Sequence, residues 1–76
     1  MTSNYRRLIP NYRISRPQLE NVIDDWIFSE RDRNIMKRHL LDGICYEPLA
    51  EEFDLSVSQI KNIVYKNGEI IFSHIN

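Results

Sequence analysis

The chain of 76 residues has one cysteine, Cys45, so no internal disulfide can staple it and no cysteine-based zinc site can form. A lone thiol fits a reducing compartment, and a cytoplasmic location is the expectation. Only two glycines are present, Gly43 and Gly68, and they stand far apart. No glycine-rich phosphate loop is therefore available. There is no run of about 18 apolar residues, so no membrane span is expected. The Arg6-Arg7 pair is followed by no apolar stretch of the kind a signal peptide needs. A surplus of positive charge is also missing: 10 Lys and Arg against 11 Asp and Glu leave a net charge of −1. Dedicated nucleic-acid binders are usually basic, so the sum alone argues against strong non-specific binding.

Catalytic and metal-binding sets are equally scarce. His39 falls on an apolar helical face and His74 near the end of the chain, with no second ligand at metal spacing. Cys45 and His39 have no obvious third member to complete a nucleophilic set. Glu20, Asp24 and Asp25 lie on one side of a short helix and read as a solvated face, while Trp26 and its apolar neighbours read as core. Neither an enzyme nor a cofactor is expected.

What is present is helical periodicity. A chain of this size buries roughly 60–65% of its unfolded surface, and a helical bundle closes such a core through local contacts. Ser15 caps a first helix, with Pro17 in its first turn and Gln18 at the capping-box position. Leu19, Val22, Ile23, Trp26 and Ile27 then follow the i, i+3, i+4, i+7, i+8 pattern. A second helix follows Ser29, with Ile35, Met36, His39 and Leu40 inward, and Asp42-Gly43 ends it, Gly43 suiting a left-handed position. A third opens near Tyr46, where Pro48 falls in the first turn and breaks no hydrogen bond. A fourth runs from about Val57 to Asn67. Beyond it, Gly68 permits a stop, yet Ile71, His74 and Ile75 stay in phase with Ile60, Ile63 and Val64. Ile70 and Phe72 leave that stripe, either to pack back on the first helix or to mark a partner surface. No segment has convincing strand periodicity. The expected fold is a small all-α bundle of four helices, or five, with residues 1–14 as a basic arm and 15–76 as a single helical domain.

The segment 46–66 has the further pattern of a helix-turn-helix. Leu49, Ala50 and Phe53 give its first helix an inward face, Asp54-Leu55-Ser56 makes the turn, and Val57, Ile60, Ile63 and Val64 face inward on the second. Ser56 can accept from the orphan N–H groups that open this second helix. The outer face then carries Ser58, Asn62 and Tyr65, flanked by Gln59, Lys61 and Lys66, all with hydrogen-bond donors. Asn and Gln suit the adenine edge, and Lys suits guanine or phosphate. Charge is polarised along the chain. Arg6, Arg7, Arg13 and Arg16 have no acid among them; Glu47, Glu51, Glu52 and Asp54 have no base; Lys61 and Lys66 again have no acid between Val57 and Gly68.

Residues 29–64, SERDRNIMKRHLLDGICYEPLAEEFDLSVSQIKNIV, resemble the C-terminal promoter-reading domain (region four) of bacterial sigma factors. The resemblance lies in the ERDR helix opening, the LLDG helix ending, the YExLAEEF helix and the LSxSQIKNI recognition helix. Asp54 stands where the family prefers Gly, and Cys45 where it uses a Ser or Thr cap. Nothing upstream resembles the sigma region that binds core polymerase. The resemblance implies a small stand-alone transcriptional regulator of the phage or mobile-element type. Its expected partners are double-stranded DNA, contacted by Ser56, Ser58, Gln59, Lys61, Asn62, Tyr65 and Lys66, and RNA polymerase. A homodimer through the C-terminal segment would supply two half-sites. The alternative expectation is a protein-interaction module on the same scaffold, docking on RNA polymerase or a sigma-like partner without touching DNA.

Overall fold

The computed structural model describes residues 15–75. The expected arm, 1–14, with Arg6, Arg7 and Arg13, lies outside the described residues. Within them stand four helices and no strand: α1, Arg16–Trp26; α2, Glu30–Leu40; α3, Tyr46–Phe53; and α4, Val57–Ser73.

Local chemistry fixes most of the helix ends. Ser15 and Gln18 form the expected capping box at α1, with Pro17 in the first turn. Ser29 caps α2 by accepting from the Asp32 N–H. Acids then occupy the first turn of α2 (Glu30, Asp32), with Lys37, Arg38 and His39 in the last, the order the helix dipole favours. Past Leu40 the chain turns through Gly43 at φ 74°, a left-handed conformation open to glycine at little cost. The Ile44 N–H closes this turn by donating to the Arg38 carbonyl at 3.0 Å.

The core is built from Leu19, Ile23 and Ile27, Ile35, Met36 and Leu40, Leu49 and Ala50, and Ile60, Val64, Ile71 and Ile75. Each fully buried Leu or Ile in such a set contributes roughly 1.5–3 kcal/mol relative to exposure. α4 packs on all three other helices and is the axis of the assembly. It runs through Gly68 without a break, so of the two outcomes left open by the sequence the helix continues. Ile71 and Ile75 are buried as their phase requires, and Ile70 and Phe72 are half-buried against the core.

One expected core residue is not core. Trp26 is 43% exposed, its ring stacked on His74 with centroids 3.6 Å apart. Trp26 is the last residue of α1, and Ile27, just past the helix end, closes the core there instead. The indole is left at the rim, where a flat partner from the end of α4 covers one face. The neighbouring Phe28 is 86% exposed. No described helix is long and apolar enough to cross a membrane.

Candidate nucleic-acid interface

α3 and α4, the two helices of the segment read as a helix-turn-helix, are joined by the three residues Asp54, Leu55 and Ser56. Asp54 holds the turn at φ 55°, ψ 47°, left-handed, where a short polar side chain is better tolerated than most. The Asp54 N–H donates to Glu51 at 3.4 Å, and the Leu55 N–H donates to Ala50 at 2.9 Å. This pair of bonds is the Schellman closure of a helix, more often made with glycine. At the other end of α3, Cys45 makes no side-chain cap bond. The third helical position, whose N–H commonly donates to such a cap, is Pro48, which has no N–H to give.

The start of α4 is fixed reciprocally. Ser56 Oγ accepts from the Gln59 N–H at 3.1 Å, and Gln59 Oε1 accepts from the Ser56 N–H at 2.9 Å. Ile60 and Val64 are buried against Leu49 and Ala50 in the common core, with Val57 and Ile63 half-buried beside them. The residues expected to contact DNA all lie outside: Ser56, Ser58, Gln59, Lys61, Asn62, Tyr65 and Lys66 are exposed. They do not form one equivalent set. Ser56 and Gln59 are engaged in capping, which leaves Gln59 its amide donors but occupies its acceptor. Ser58, Asn62 and Tyr65, spaced by four and three residues, share one strip. Lys61 and Lys66 lie about 70° to either side of it at 100° per residue. The Lys61 ammonium stands 5.9 Å from the centre of the Tyr46 ring on α3, and that ring stacks in turn on His39 of α2 at 4.8 Å.

The other described cations are occupied. Arg16, expected to belong with the basic N-terminal residues, donates to the Leu41 carbonyl at 2.9 Å and to Asp42 at 2.8 Å, pinning the start of α1 to the end of α2. Lys37 pairs with Asp24 and Arg38 with Glu52, each at 2.7 Å. Arg31 pairs with Asp32 at 3.2 Å. Arg33 donates to the carbonyls of Ile27 and Phe28, closing the end of α1. Among the described residues, Lys61 and Lys66 are the cations with neither a carboxylate nor a carbonyl partner.

Asn67 and Arg33 hold this surface in place by contacts that the sequence did not indicate. Asn67, 3% exposed, donates from Nδ2 to the Ile63 carbonyl at 2.9 Å and to Asp32 Oδ2 at 3.2 Å. It thereby ties α4 to the first turn of α2. Its signal was a polar residue in register with Ile60 and Ile63 on the inward stripe. Arg33 left no such signal, because its acceptors are backbone carbonyls. His39 is buried as expected, with Nδ1 2.8 Å from the Ile44 carbonyl. No group of three or more His, Cys, Asp or Glu among the described residues stands close enough to hold a metal ion. No protein-family model, curated protein or solved structure matches the chain.

Proposed function

We propose that this chain is a DNA-binding transcriptional regulator of the sigma region-four kind, reading the major groove through the outer face of α4. One observation carries the reading. The two described cations without an anionic or carbonyl partner flank a strip of exposed amide, hydroxyl and phenol groups on the second helix of a helix-turn-helix. Such a helix is the element that enters the groove in this class of module. The acids of α3 argue for a defined approach: Glu47, Glu51 and Asp54 are exposed and would repel phosphates brought near them.

The competing reading, a protein-docking module using the C-terminal tail, is less well supported. Ile71 and Ile75 are buried within the chain and Ile70 and Phe72 are half-buried, so the tail offers little apolar area of its own. Among the described residues of this segment, the exposed parts of Ile70 and Phe72 are the aliphatic and phenyl surface that a homodimer could use.

The test is a titration of isotope-labelled protein with random-sequence duplex DNA, followed at its backbone amides as salt is raised. Non-specific affinities for such modules are about 10⁻⁴–10⁻⁶ M. With Lys61 and Lys66 as the phosphate contacts, log K should fall against log salt with a slope of about −1.8. Shifts should cluster on Ser56 to Lys66. Absence of binding at low salt, or shifts confined to other helices, would overturn the reading.

A further inference from the structure

The reading strip on α4 contains no guanidinium, and its two ammonium groups do not lie on it. This has a consequence for which base pairs it can distinguish. Guanine is read in the major groove through its two acceptors, O6 and N7, and the side chains that satisfy both are Arg and Lys. α4 has no arginine. The Lys61 ammonium is drawn toward the Tyr46 ring on α3, away from the strip, and Lys66 falls on the opposite flank. Both are placed to straddle the strip and meet phosphates on either side of a groove.

What remains on the strip is Asn62 between Ser58 and Tyr65. The Asn62 side chain is exposed and makes no hydrogen bond among the described residues. Its amide carries a donor for adenine N7 and an acceptor for the adenine N6 amino group, a pair of contacts that no other base offers in that order. One turn further, the Tyr65 ring is 57% exposed and presents an apolar face of the kind that packs on a thymine C5-methyl group.

We propose, resting on the DNA-reading assignment above, that α4 selects A·T over G·C pairs in the major groove, with Asn62 reading an adenine and Tyr65 a neighbouring thymine methyl. Ser58 accepts or donates with either pair and adds no discrimination.

The experiment compares three duplexes of equal length and phosphate content: A·T pairs, G·C pairs and inosine·cytosine pairs. Inosine·cytosine lacks the guanine amino group, so its minor groove matches A·T while its major groove matches G·C. Binding to A·T should exceed binding to both of the others by about five-fold or more, with inosine·cytosine behaving like G·C. Asn62→Ala should bring the three to within about two-fold of one another and leave the slope against salt unchanged. Equal affinity for all three duplexes in the wild-type protein would overturn the inference while leaving DNA binding intact. Inosine·cytosine behaving like A·T would also overturn it, because discrimination would then come from the minor groove. Binding to none of the three at low salt would remove the DNA-reading assignment itself, and this inference with it.

Discussion

α2 and α4 both bury one face in the core and carry basic residues on the other, yet they present opposite surfaces to a partner. α2 has four Lys or Arg among 11 residues, and α4 has two among 17. By count, α2 is the more basic helix. By availability the order is reversed, since every cation on α2 is held by a carboxylate or a carbonyl of its own chain, whereas Lys61 and Lys66 are not. A net charge of −1 is therefore a poor guide to what a small protein can bind. Among the described residues, the cations of α1 and α2 are held by acceptors of their own chain, and the two left without one both sit on α4.

The contrast depends first on α4 being held in position, and the largest expected effect comes from loosening it. Asn67→Ala removes the donor shared by Asp32 and Ile63, and should cost about 1–3 kcal/mol of stability, read as a lowered denaturant midpoint. An unchanged midpoint would mean that the link between α2 and α4 is dispensable.

The contrast itself is tested by neutralising cations on each helix. In the wild-type protein a slope of about −1.8 corresponds to a loss of about 12-fold in DNA affinity between 50 and 200 mM salt. Lys61→Gln combined with Lys66→Gln should abolish most of that dependence. Lys37→Gln on α2 should leave it in place, because Asp24 already neutralises Lys37. Equal effects from the two helices would erase the distinction between counted and available charge.

The smallest effect sharpens the picture of α4 as one continuous rod. Gly68 is helical, and a methyl group added there would meet nothing within 4 Å. Gly68→Ala should therefore stabilise the protein by about 0.5–1 kcal/mol through helix propensity. Its site on the inward side of α4 should leave DNA affinity unchanged. A destabilised variant would show that the glycine is needed for a close approach at that point.

Much of the scaffold was legible because its signals are local. Ser15, Ser29 and Ser56 mark helix starts, Gly43 and Asp54 mark left-handed turns, and the apolar spacing gives each helix its inward face. Trp26 was misread because periodicity does not tell where along a helix the core ends. The exposure of the seven candidate residues from Ser56 to Lys66 was also legible, since they lie off the apolar stripe or at the helix start. Which of those seven are already engaged was partly hidden: the bond from Ser56 to Gln59 follows from a capping rule, whereas the Lys61–Tyr46 approach requires two helices to be packed.

Legible from residue order alone were the starts of the four helices, the serine caps of α1, α2 and α4, the turn between α3 and α4, and the outward direction of Ser58, Asn62 and Tyr65. These follow from backbone propensity and from contacts three or four residues apart. Helix packing was needed to bring Arg16 to Asp42 and Arg38 to Glu52, to anchor α4 to α2 through Asn67, and to carry α4 on to Ser73 as the axis of the core. The reason is that pairs such as Arg16–Asp42 and Asn67–Asp32 join residues far apart in the chain. Whether a charge is free or paired depends on which helices pack side by side, and no local rule contains that information.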